Sequence, residues 1–174
     1  LQNAVRVALV GEIQARVGLD EGPGDLLEEY DSPATVEALE RALAANGYST
    51  SRLGGGRELV RRVFLRPPDL VFNLAEGYGT RSREAHVPAF LEMMGVPYTH
   101  SDPLTLAVAL DKAMTKRLVA SHGVPTPRFG VIAELGELER LDLMFPLMAK
   151  PLFEGSSMGI RKSSRASGQH ELRE

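Results

Sequence analysis

The sequence predicts an α/β fold built on a parallel sheet, and three observations predict it. Short apolar runs rich in Val, Leu and Phe alternate with helix-period segments in the order strand, helix, strand, helix, strand, helix. The first and third of these strands are apolar at consecutive positions, the pattern of burial on both faces. Glycine or proline closes most segments, marking where each must turn.

The elements follow in order. Val5 to Val10 reads as the first strand, ending at Gly11. A loop rich in Gly, Asp and Glu runs from about Gly18 to Asp31. Ser32 is placed to cap a helix with Pro33 at its first position, Val36, Leu39 and Leu43 recur at helical spacing, and Gly47 stops it. Tyr48 to Leu53 is a second strand and Gly54-Gly55-Gly56 a turn. Glu58 to Leu65 is a short helix halted by Pro67-Pro68, and Asp69 to Asn73 is a third buried strand. A polar Gly loop from Glu76 to Thr80 leads into a helix from about Arg83 to Met94, ended by Gly95.

Beyond this, Val96-Pro97-Tyr98 is extended, Leu104 to His122 mostly helical, and residues 123–127 (GVPTP) an extended linker. Arg128–Ile132, Pro146–Lys150 and Met158–Ser163 read as strands, with Leu135–Leu141 helical between the first two. Gln169 onward begins another helix. The expected division is 1–110 as one domain and 111–174 as the start of a second.

Composition narrows the function classes. The chain has 174 residues, 43% hydrophobic and 25% charged, the profile of an ordinary folded domain. A net charge of -3 gives no pull toward nucleic acid. The absence of cysteine excludes disulfides, thiolate catalysis and cysteine-held metal. The four histidines lack the i, i+4 spacing of a zinc helix. No apolar run approaches the roughly 20 residues that span a bilayer, and the opening residues are too few for a secretory leader. A cytoplasmic protein with small-molecule substrates, and neither nucleic-acid nor membrane partners, is the expectation.

Three segments carry chemistry. In Lys150-Pro151-Leu152-Phe153-Glu154-Gly155-Ser156-Ser157-Met158-Gly159 an apolar strand delivers a lysine to a loop of small residues. Backbone N–H groups and hydroxyls there can face an anion, with Lys150 as a compact cation. The same residues also suit a plain hairpin turn with an exposed lysine. Lys112 and Lys116 stand one helical turn apart on a common face, which a polyphosphate would neutralise; alone, the pair is better explained as a solvated helix surface. Glu76 follows directly on a buried strand, where open α/β sheets bind ligands, and could meet a substrate amine or merely line a polar turn. Gly54-Gly55-Gly56 lacks the spacing and lysine of a phosphate loop.

From Val71 to Ser163 the chain resembles the D-alanine–D-alanine ligases, carboxylate–amine ligases of the ATP-grasp class. The resemblance is carried by Glu76-Gly77-Tyr78-Gly79, residues 95–101 (GVPYTHS), Asp111-Lys112 with Thr115-Lys116-Arg117-Leu118, the linker at 123–127, Pro146 to Pro151, and Glu154 to Gly159. It implies a Rossmann-like N-terminal domain with a parallel sheet, on the substrate side, followed by the first, incomplete part of an ATP-grasp α+β domain. It implies further that ATP phosphorylates the carboxylate of one amino acid and that the amine of a second displaces phosphate. Lys112 and Lys150 would reach the nucleotide, and Glu154, Gly155, Ser156, Ser157 and Gly159 would close over its phosphates. Ser156 and Glu76 are the candidate catalytic residues. Mg²⁺ is expected, with its ligands later than this stretch, as are a role in peptidoglycan precursor synthesis and a homodimer.

The sequence also departs from the family. The Gly-Gly-x-Ser-x-Glu motif expected after the first strand is missing, leaving Glu12, Glu28 and Glu29 as substitutes. Glu76-Gly77 stands where the family has His-Gly, and His100 where glycine is common. The adenine hinge, the catalytic Arg and the metal-binding residues are not among these 174 positions, so the isolated chain is expected to be inactive. A related ligase with another substrate, a non-catalytic binding protein and a flavodoxin-like binding domain are the alternatives.

Overall fold

The structure is a computed structural model that describes residues 4–12 and 28–173. The loop expected from Gly18 to Asp31 lies largely outside the described residues. The chain divides into two compact units, Leu1–Ala107 and Val108–Glu174.

In the first unit, strand β1 (Arg6–Val10) is the centre of a three-stranded parallel sheet. On one side it pairs with β2 (Ser49–Gly54), Arg6 opposite Ser49; on the other with β3 (Leu70–Asn73), Val7 opposite Leu70. Tyr98 adds a parallel bridge to Val71, so the extended piece at 96–98 acts as a rudimentary fourth strand. The order β2-β1-β3 is that of a doubly wound sheet, with β1 and β3 flanking the switch point. The α/β class read from the sequence is the one observed.

Helix α1 (Pro33–Ala45) begins as its residues dictate: Ser32 Oγ accepts from the Thr35 N–H at 3.1 Å, and Pro33 needs no amide partner. Gly47 ends it at φ 84°. Helix α2 (Gly56–Leu65) starts from Gly55, so the triple glycine is a strand-to-helix junction. Helix α3 (His86–Met93) follows a 3₁₀ turn at Arg83–Ala85.

Leu59 and Val63 of α2 and Val87 and Leu91 of α3 lie one turn apart and bury a stripe against Ala8, Val10 and Val71. Val7 and Leu9 alternate with these on β1 and are equally buried, which is why the strand reads as uninterrupted apolar sequence.

The second unit is built differently. The helix expected over Leu104–His122 is two: α4 (Pro103–Leu110), which contains the division between units, and α5 (Lys112–Ser121). Asp111 breaks them apart. Its carboxylate accepts from the N–H groups of Ala113 and Met114 at 3.1 and 3.0 Å, offering the backbone a cap in place of continuation.

Arg128–Ile132, expected as a strand, has no ladder partner among the described residues. Leu135–Arg140 is a 3₁₀ helix. The strand expected over Pro146–Lys150 shrinks to β4 (Leu147–Met148), antiparallel to β5 (Arg165–Ala166). Met158–Ser163 is no strand either. Turns win there, because Met158 N–H returns to Gly155 O at 2.9 Å and Ile160 N–H to Ser157 O at 3.0 Å. A short helix, α6 (Gln169–Arg173), closes the described chain.

Candidate functional site

In the first unit the loops after β1 and β3 meet at the switch point. Gly11 packs so closely on Leu74 that a Cβ would lie 2.8 Å from the Leu74 carbonyl oxygen. Glu12 accepts from the Gly77 N–H at 3.3 Å, and its carboxylate fills the space where a side chain on Gly55 would sit. Gly77 is thereby held on both sides, since Tyr30 OH donates to its carbonyl at 3.1 Å. A small cavity lined by Gly11, Glu12, Asp31, Arg52 and Leu74 opens beside these loops.

Glu76 is half-buried in this network. Burial, and then the charges of Glu84, Glu29 and Asp31, push its carboxyl up to about 7 against the opposing pull of Arg83. Arg83 makes a two-toothed ion pair with Glu29 at 2.8 and 3.1 Å, the two side chains only 6% and 4% exposed. The same setting pushes the Tyr30 hydroxyl up, through burial first and the charges of Glu12 and Glu29 next.

In the second unit Asp111, itself buried, fixes Lys112 as the first residue of α5. The Lys112 N–H donates to the Leu152 carbonyl at 3.2 Å, and its ammonium donates to the carbonyl of Glu154. The loop beyond turns through two residues of positive φ, Ser156 at 42° and Ser157 at 64°, before Gly159 at 70°. Met158 is buried while both serines are exposed. A Cβ on Gly159 would meet Pro151 Cγ at 2.6 Å, so the loop folds back upon its own first residues.

Of the residues singled out from the sequence, Lys112, Glu154, Gly155, Ser156, Ser157 and Gly159 thus share one neighbourhood. Lys150 is exposed just after β4. Lys116 turns elsewhere, donating to Thr126 Oγ1 at 2.7 Å and standing 5.3 Å over the Phe129 ring, so the two helix lysines do not serve one surface. Glu29, one of three candidates for the missing motif glutamate, is committed to Arg83, and Glu12 to Gly77. Sequence reasoning passed over Arg83 and Tyr30; their partners lie 54 and 47 positions away, beyond any local pattern. His100 has φ 78°, which accounts for glycine being the easier residue there, and its ring meets Phe72 edge-on at 5.8 Å. Among the described residues no group of three or more His, Asp or Glu is placed to hold a metal ion, and no helix is long and apolar enough to cross a membrane.

No family model matches the chain. Curated relatives do. The uncharacterized protein y4sG of Sinorhizobium fredii is 39% identical over 134 residues, covering 72% of this chain and 40% of that one. The D-alanine–D-alanine ligase of Novosphingobium aromaticivorans is 34% identical over 125 residues, 71% and 39% of the two chains. That of Pseudomonas putida is 35% identical over 145 residues, 82% and 45%.

Among solved structures, the D-alanine–D-alanine ligase of Bacillus anthracis superposes with a TM-score of 0.69 at 21% identity, over 97% of this chain and 51% of its own. The VanG D-Ala:D-Ser ligase of Enterococcus faecalis gives 0.63 at 20%, over 97% and 57%. A parallel-sheet unit followed by a lysine-bearing helix and a glycine–serine loop therefore has the fold of the N-terminal part of the ATP-grasp carboxylate–amine ligases. Within that class, the chain belongs to the D-alanine–D-alanine ligase family. It spans about two fifths of the length of the curated relatives it matches.

Proposed function

We propose that this chain forms the substrate-side and first phosphate-side portions of an ATP-dependent ligase that joins two amino acids, D-alanine foremost, through an acyl phosphate. Residues 1–110 are the substrate-side domain and 111–174 the start of the nucleotide-binding one. The observation that carries the reading is the attachment of Lys112 to the Glu154–Gly159 loop, which gathers a cation, two exposed hydroxyls and a glycine-rich backbone. Such an arrangement suits a polyphosphate. A Bacillus anthracis relative of the same fold was solved complexed with ATP.

ATP would supply the phosphoryl group that makes a carboxylate electrophilic. Lys112 and Lys150 would neutralise its phosphates, Ser156 and Ser157 would donate to phosphate oxygens, and Ser156 would lie nearest the reacting groups. Electrostatic neutralisation and positioning are what such transfer requires. Glu76 would accept from a substrate amine. Mg²⁺ ligands would come from residues other than those described.

Placement in peptidoglycan precursor synthesis, a cytoplasmic setting and a homodimer complete the proposal. The 174 residues alone are expected to be catalytically silent. ATP titration into the purified chain, with phosphate release followed in D-alanine and Mg²⁺, tests both halves. Saturable ATP binding without turnover is expected; turnover overturns the silence, and absence of binding overturns the nucleotide reading.

One observation favours a second reading, a related ligase with another substrate. The switch-point loops gather Glu76, Glu84, Glu29 and Asp31 around one arginine that is already paired. An acidic cluster of this kind favours a ligand with an extra ammonium over simple D-alanine. Competition among D-alanine, D-serine and a diamino acid for protection of the 74–84 backbone would separate the two readings.

A further inference from the structure

The second unit carries a cleft of about 380 Å³ beside the end of α5. Small-molecule pockets start at roughly 300 Å³. Ala120 lines the cleft, which places it roughly 12 Å along the helix from Lys112 at ~1.5 Å of rise per residue. Its two walls, residues 126–130 and 140–143, are tied to each other and to the helix. Arg128 donates to the Asp142 carbonyl at 2.9 Å and to the Asp142 carboxylate at 3.1 Å. Gly130 packs so tightly on Leu141 that a Cβ there would collide with Leu141 Cδ2. Lys116 holds the first wall to α5 through Thr126 Oγ1 at 2.7 Å.

The lining offers two kinds of surface. Pro127, Leu141 and Leu143, with the half-buried Phe129 ring, make it apolar. Arg128 and Arg140 against Asp142 make it positive, and Lys116 and Arg117, 5.3 and 5.9 Å from the Phe129 ring centre, reinforce that sign. Arg128 is engaged by Asp142, whereas Arg140 has no acidic partner among the described residues. A planar guanidinium presents paired donors that match a carboxylate.

The geometry points to a ligand site in this cleft for a small aromatic carboxylate, its carboxylate on Arg140 and its ring among Phe129, Leu141 and Leu143. The positive lining selects an anion, and the apolar walls select a ring-bearing body over a bare ion. The site stands apart from the Lys112 neighbourhood and does not rest on the nucleotide reading.

The test is amide NMR on the 174-residue chain, titrated with benzoate and, separately, with benzylamine (the same ring, opposite charge) and acetate (the same head, no ring). Benzoate is expected to shift the Ala120, Phe129, Gly130 and Leu141 amides saturably at roughly millimolar concentration, the affinity open to so small a ligand, with residues 152–159 unmoved. Benzylamine and acetate are expected to give no saturable shift there. R140M, at an exposed position, should weaken benzoate at least about tenfold through loss of a charge-assisted hydrogen bond, and R140K should restore part of it. No saturable benzoate shift at these amides overturns the site. Benzylamine or acetate matching benzoate overturns the pairing of charge with ring. Undiminished binding to R140M overturns Arg140 as the anchor. The three probes on the wild type decide even if a variant fails to fold. Benzoate binding as expected, with no ATP binding, leaves this site standing and sinks the nucleotide reading alone.

Discussion

The two units reach their shapes by different means. The first buries a continuous layer, with β1 covered on both faces and α2 and α3 packed on Ala8, Val10 and Val71. The second buries Leu110, Ala113, Leu138, Met158 and Ala166, residues that belong to separate short elements, and owes its form to caps, turns and side-chain-to-backbone bonds. Packing is cooperative and sums many contacts. A turn held by one or two hydrogen bonds is worth about 1 kcal/mol for each. The first unit should therefore lose much when a single buried group is altered, and the second little.

The largest effect is expected at the buried ion pair of the first unit. Arg83→Met removes the two-toothed partner of the buried Glu29 carboxylate and should cost about 3–5 kcal/mol, seen as a fall in the urea midpoint. Leu91→Ala, at a fully buried position, should cost about 2–5 kcal/mol through lost burial and the cavity left behind. Leu138→Ala in the second unit should cost about 2 kcal/mol, at the lower end of that range because its surroundings can collapse. Equal losses for the two leucines, measured side by side by thermal unfolding, would break the comparison.

A smaller effect concerns pH. Glu76 keeps its proton up to about pH 7 in the folded chain, against 4.5 as its ordinary value. Between those limits the native state binds more protons than the unfolded one, so this group's stabilisation is complete below the lower value and lost as pH rises through the upper. Glu76→Gln should flatten that slope, raising the melting temperature more at pH 8 than at pH 5; a parallel shift at both would show that the carboxyl titrates normally. The smallest effect is Asp111→Ala, about 1 kcal/mol for a lost helix cap, read as reduced helical ellipticity with the first unit's transition unmoved.

The same contrast governs what could be read beforehand. In the first unit nearly every boundary was marked locally. Ser32-Pro33 opened α1, Pro67-Pro68 followed the end of α2, and Gly95 closed α3, while the apolar runs located β1 and β3. In the second unit local patterns misled. Phe129, Val131 and Ile132 have strand preferences but, among the described residues, no ladder to join, and strand propensity is expressed mainly through packing against neighbours.

The stretch from Met158 was lost to turn geometry at Ser156 and Ser157, which are not typical positive-φ residues. The break at Asp111 is signalled locally only by a capping residue placed after the apolar stretch of α4. At the candidate site, the residue types around Lys112 and the serine loop were legible. Their contact was not, because it joins positions 42 apart. The pairs Arg83–Glu29 and Glu12–Gly77 were hidden for the same reason.

The central position of β1 bears on how the chain is made. Arg6 must wait for Ser49, and Val7 for Leu70, before either neighbour can pair. At roughly 5–20 residues per second of synthesis, β1 emerges several seconds ahead of both its partners, its two edges bare. Its five residues carry only Arg6 as a charge, and Arg6 later pairs with Asp69 at the threshold of β3. Until that threshold emerges, the arginine is the one charge in the strand to discourage association with other nascent chains.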